Sequence, residues 1–131
     1  MRSQAREAVF KFIFSQLFNQ YDEGLFTVLC KDLTDGEKSF ASDLLNAVVS
    51  GKDEYLSDME NLAIGYKLSR LYNADRCALL IGMAETDKFP DTPIAVIIDE
   101  AVNLCAKYST ENSTDFVNGI LAEYVKGKRN G

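Results

Sequence analysis

Apolar residues recur along most of the chain at three- and four-residue intervals, and no period-two alternation is long enough for a strand. The pattern predicts an all-α fold. Over residues 2–18, Ala5, Ala8, Val9, Phe12, Ile13 and Leu17 form one core-facing stripe. Phe10, Phe14 and Phe18 form a second, with Phe14 and Phe18 roughly opposite the centre of the first. A short helix is expected within 22–33, around Leu25, Phe26, Val28 and Leu29. A long one follows, capped by Thr34 or Asp35, with Phe40, Leu44, Leu45, Val48, Tyr55, Leu56, Met59 and Leu62 facing inward. Gly51 in its middle costs about 1 kcal/mol against alanine and marks a kink or a close packing contact.

Beyond it, the only prolines, Pro90 and Pro93, separate two helical patterns. Residues 66–71 read as a short turn of helix. Asn73 or Ala74 then opens a segment over 75–88 whose Leu79, Leu80, Gly82, Met83 and Ala84 predict deep burial. Thr92 is expected to cap the next helix with Pro93 at its first position, where the missing N–H costs nothing. Its inner face is Ile94, Ile97, Ile98, Ala101, Leu104, Cys105 and Tyr108. Asn112, with Asp115 three residues on, reads as the cap of the last helix, whose apolar side is Phe116, Val117, Ile120, Leu121 and Tyr124. Gly119 within that pattern predicts the close approach of a neighbouring helix. The tail from Lys126 onward is expected to be frayed and solvated.

At 131 residues, with 47% hydrophobic and 26% charged residues, the chain has the size and balance of a single soluble domain. No apolar run approaches the ~20 residues that span a bilayer. Gln4, Arg6, Glu7 and Lys11 interrupt the first apolar residues, so no signal peptide and no membrane association are expected, and the location is cytoplasmic. Three scattered cysteines without any histidine read as small buried hydrophobes rather than a zinc site, and no cofactor is expected. Catalysis has little to stand on: Asp99 and Glu100 are adjacent on a helix, about 100° apart, and do not face each other.

The net charge of −6 runs against nucleic-acid binding, for which a domain pI above ~9 is common. Any RNA contact must come from a local patch. Arg2 and Arg6 share one helix side. The start of the last helix, residues 113–118, offers free N–H groups to a phosphate, with Phe116 available for base stacking or for the core. The Phe10/Phe14/Phe18 stripe is either a partner-binding face or the second side of a helix sandwiched inside its own domain.

Three segments, taken in order, resemble the NusB family of bacterial transcription antitermination factors. Arg2-Ser3-Gln4-Ala5-Arg6-Glu7-Ala8 is similar to its opening R-x-x-A-R-E-x-A. Tyr66-Lys67-Leu68-Ser69-Arg70-Leu71 with Asp75-Arg76 resembles W-x-L-x-R-L…D-R, and IDEAVNL…FVNGIL over 98–121 resembles INEAVEL…FVNGVL. The resemblance implies a bundle of about seven helices in two helical subdomains, acting by binding and not as an enzyme. It implies boxA-type RNA and the small-subunit ribosomal protein NusE as partners, within an RNA polymerase antitermination complex serving ribosomal RNA operons. By position it implies partner binding through Phe14, Phe18 and Asp75, and RNA binding through Arg2, Arg6, Asp115, Phe116 and Asn118. Leu80 stands where an arginine is usual, Ala84 where a tyrosine is common, and Asp99 where the family has asparagine. These departures leave an alternative, a NusB-like protein-interaction adaptor with weakened or lost RNA binding.

Overall fold

The computed structural model describes residues 2–17, 22–63 and 72–129. Among them are six helices and no strand: α1 (Arg2–Gln16), α2 (Glu23–Leu29), α3 (Asp35–Leu62), α4 (Asn73–Lys88), α5 (Ile94–Tyr108) and α6 (Glu111–Arg129). The all-α expectation holds. The expected turn over 66–71 and Phe18 lie outside the described residues.

Local chemistry sets most of the boundaries. Thr34 begins α3 with a reciprocal capping box: its hydroxyl accepts from the Glu37 N–H at 3.2 Å, and the Glu37 carboxylate accepts from the Thr34 N–H at 2.9 Å. Two caps differ from the pattern. Pro93, not Thr92, is the N-cap of α5, because its carbonyl already accepts from Val96 and Ile97. The last helix opens at Glu111 rather than after Asn112, because the Thr110 hydroxyl accepts from the Ser113 N–H at 3.3 Å.

α4 is the axle of the fold. It packs against α1, α3, α5 and α6, and twelve of its sixteen residues are buried, so it presents almost no face to water. One hydrophobic cluster runs through α1, α3, α4, α5 and α6, as the helical stripes predict. Two glycines permit close packing. A Cβ on Gly82 would lie 2.8 Å from the methyls of Leu121, where α6 crosses α4. A Cβ on Gly51 would lie 2.5 Å from the ring of Tyr55, which is fully buried and donates to Asp87 at 2.8 Å. Gly119 is the correction: nothing lies within 4 Å of where its Cβ would be, so no helix approaches there.

Two further expectations change, and the placement of Phe10, left open by its spacing, is decided. Leu17 is 47% exposed rather than core, because α1 ends one residue earlier. Phe10 is buried, stacked on Tyr108 of α5 with ring centroids 4.9 Å apart and on Phe14 at 6.1 Å, so α1 is packed on two sides. The tail does not fray at once: Arg129 is helical, and its guanidinium donates to the carbonyls of Thr92 at 2.6 Å and Phe89 at 2.9 Å. A cation there meets the negative end of α4.

All three cysteines are buried and unpaired. Burial pushes the Cys77 thiol up to about 12, and burial followed by the Asp75 carboxylate does the same for Cys105; burial also raises Cys30. The folded protein should therefore resist thiol-reactive dyes at neutral pH and label fully in denaturant. Rapid stoichiometric labelling of the native chain would contradict this burial.

Candidate functional site

The N-terminal half of α1 carries the first group of candidate residues. Arg2 is exposed, with its guanidinium 4.4 Å from the centroid of the Phe40 ring. Arg6 is not a surface group. It is 3% exposed, and its Nε and Nη2 both donate to the Glu85 carboxylate of α4, the second at 2.9 Å. Glu85 is itself 1% exposed, and Glu100 of α5 lies 3.6 Å from the same guanidinium while accepting from the Ser3 hydroxyl at 2.6 Å. The expectation of Arg6 as a surface contact for RNA is corrected accordingly: at 3% exposed, with its Nε–Nη2 edge on Glu85 and its Nη1 beside Glu100, the guanidinium does not present its remaining donors at the surface.

The next residue, Glu7, accepts from Lys107 at 3.0 Å and from the Tyr108 hydroxyl at 2.8 Å, tying α1 to α5. Burial works against the Glu7 carboxylate, but the bonds from Lys107 and Tyr108 outweigh it and hold its pKa below the ordinary value. Glu7, Lys11 and Lys107 line a groove of about 680 Å³ whose other wall carries Asp32 and Glu37. Two lysines there face three carboxylates, so the groove is not a basic surface.

The C-terminal end of α1 is different in kind. Phe14 lines a cleft of about 350 Å³ with Tyr72, Asn73, Tyr108, Ser109 and Thr110. Tyr72 is 59% and Tyr108 36% exposed. Tyr108 thus departs from the inner face that its spacing predicts, and Tyr72 joins it without any signal in the helical stripes. What marks both is a tyrosine at a helix end, an apolar body with a polar tip. Beside the cleft, Ile13, Leu17, Val49, Leu56 and Leu80 line an apolar groove of about 470 Å³ with Lys52 and Arg76 also on its walls. The position where the family resemblance calls for arginine is thus apolar lining.

Asp75, expected on the partner face, is 2% exposed and lies behind the cleft. Its carboxylate accepts from the Tyr72 N–H at 3.3 Å, from the Ser113 hydroxyl at 3.0 Å and from the Cys105 thiol at 3.2 Å. The three donors come from the N-cap of α4, the last turn of α5 and the first turn of α6, so the carboxylate faces the interior rather than the surface on which it was expected. At the start of α6, Asp115 and Asn118 are exposed and Phe116 is half-buried against the core. Phe116 thus serves packing while keeping an accessible edge. These residues and Arg2 stand on two helices that both pack on α5.

Known proteins resemble this chain over nearly its whole length. The sequence profile of the NusB family matches residues 3–126. Transcription antitermination protein NusB of Finegoldia magna is 30% identical over 132 residues, covering 98% of this chain and 96% of that protein. The protein of the same name from Pseudothermotoga lettingae is 35% identical over 129 residues, covering 95% and 91%. Among solved structures, T. maritima NusB superposes with a TM-score of 0.89 at 30% identity, covering 96% of this chain and 91% of that one. A structure described as antitermination factors NusB and NusE in complex with dsRNA superposes at 0.84 with 25% identity, covering 96% of each chain.

Proposed function

The chain belongs to the NusB family, and from that premise we propose that it is a transcription antitermination factor. It binds boxA-type RNA together with NusE and supports processive transcription of ribosomal RNA operons as part of an RNA polymerase antitermination complex. It acts by binding and not by catalysis. Its place of action is the cytoplasm, in keeping with the absence, among the described residues, of a helix long and apolar enough to cross a membrane. The observation that carries the reading is the adjacency of two surfaces: the aromatic cleft of Phe14, Tyr72 and Tyr108 shares the turn at Ser109–Thr110 with the start of α6. NusE docks on the cleft, and RNA runs over the first turns of α6, with Arg2 as a further cationic contact.

Few cations stand on this proposed RNA face, since Arg6 is buried and the exposed Lys107 is paired with Glu7. Each neutralised phosphate of a single strand contributes a salt slope of roughly −0.7, so the isolated chain should bind boxA RNA weakly and with a shallow salt dependence. Gel-shift titration with boxA RNA at two salt concentrations, with and without NusE, should show a large gain in the presence of NusE. Failure to shift RNA even with NusE bound overturns the reading. The same thinness of charge favours one alternative, an adaptor of NusB type that keeps the protein partner without RNA. It predicts a NusE complex that leaves boxA RNA free.

Phe14→Ala tests the cleft. Truncating an aromatic anchor at an interface costs ~2 kcal/mol or more of binding, about thirtyfold in Kd. Calorimetric titration with NusE should show that loss while the melting temperature moves by only a few degrees. Equal NusE affinity in parent and variant would place the partner elsewhere.

A further inference from the structure

Asp75 gathers three helix ends on one buried carboxylate. Oδ1 accepts from Cys105 in the last turn of α5. Oδ2 accepts both from the backbone of Tyr72, which walls the aromatic cleft, and from Ser113 in the first turn of α6. Ser113 is only 7% exposed, so it is not itself a surface for RNA. It extends the network to the turn before it: its hydroxyl is 3.0 Å from Thr110 Oγ1 and 3.4 Å from Ser109 Oγ, two residues that line the same cleft. The pKa of Cys105 is raised by burial and by this carboxylate, so the sulfur stays protonated and donates.

Two residues beyond Ser113 stands the exposed Asp115, followed by the half-buried Phe116 and the exposed Asn118. A helix start held only by its own cap frays, because its first N–H groups lack intrahelical partners. Here a side-chain bond to a neighbouring helix fixes the first turn instead. We infer that Asp75 is a positioning residue for RNA recognition, acting through Ser113 to fix the start of α6. The inference deepens the functional reading above and rests on it. At 2% exposed, Asp75 acts from behind the surface, holding the first turn of α6 in one geometry.

The test compares two variants that each remove one bond to the same carboxylate. Ser113→Ala frees α6, and Cys105→Ala frees α5 while leaving the Ser113 tie intact. BoxA RNA affinity in the presence of saturating NusE, NusE affinity alone and thermal melting are measured for both and for the parent. Ser113→Ala should weaken RNA binding about five- to tenfold, the equivalent of one ordinary hydrogen bond, with NusE affinity unchanged. Cys105→Ala should lower the melting temperature yet leave RNA affinity within about twofold. RNA affinity unaffected by Ser113→Ala would overturn the inference, as would equal losses in both variants, which report general loosening. A parent chain that shifts no RNA with NusE present defeats the functional reading itself, and this inference with it.

Discussion

Arg6→Ala is expected to lower stability by about 3–5 kcal/mol, because it strands the Glu85 carboxylate in the core without its counter-charge. Arg6 sits between α1, α4 and the Phe40 ring of α3, so water cannot simply replace the lost guanidinium. At roughly 4 °C per kcal/mol for a domain of this size, the melting temperature should fall by more than about 10 °C. The paired variant Arg6→Met with Glu85→Leu removes both charges and should recover most of the loss, since breaking a buried pair costs far more than replacing it with apolar groups. A single variant that melts within about 2 °C of the parent would show that the pair is hydrated. RNA binding by Arg6→Ala is meaningful only well below its melting temperature. Otherwise an unfolded fraction mimics a lost contact.

Gly82→Leu is the second large effect. A Cβ alone meets the Leu121 methyls at 2.8 Å, and Leu121 is fully buried, so neither helix has room for a further side chain. Overpacking of this kind costs about 3 kcal/mol, well beyond the ~1 kcal/mol of helix propensity gained by losing glycine. Gly119→Leu should behave in the opposite way. With open space around it, the propensity gain of up to ~1 kcal/mol stands alone and the melting temperature should hold or rise. Denaturant melts of the two variants decide the matter. If Gly119→Leu proved the more damaging, the placement of α6 on α4 would be wrong.

These two glycines illustrate what sequence can and cannot carry. Both lie in strong helical patterns, and the pattern alone gives no sign of which one faces a neighbour, because that depends on how α6 crosses α4. The stripes themselves were legible: Phe40, Leu44, Leu79, Met83, Val117 and Leu121 all point inward as their spacing demands. So was the Thr34 cap, whose partner Glu37 lies three residues away. The site was less legible. The stripe carrying Phe14 left a partner face and internal packing both open, and the burial of Arg6 and Asp75 could not be read at all, since charged residues are exposed unless something distant pairs with them. Their partners, Glu85 and Ser113, lie 79 and 38 residues away. Arg129 escaped for the same reason, with its acceptors 37 to 44 residues earlier.

The burial of α4 on all sides also governs how the domain opens. A surface helix can detach and redock while its neighbours stay folded, and its amides exchange with solvent through such partial openings. α4 has no such route: the two helices that pack on it from the first half of the chain, α1 and α3, and the two from the second, α5 and α6, must all release it. Exchange of its central amides then requires loss of the entire core. The halves are therefore not separate folding units, and the slowest-exchanging protons, around Leu79 to Met83, are gauges of global stability.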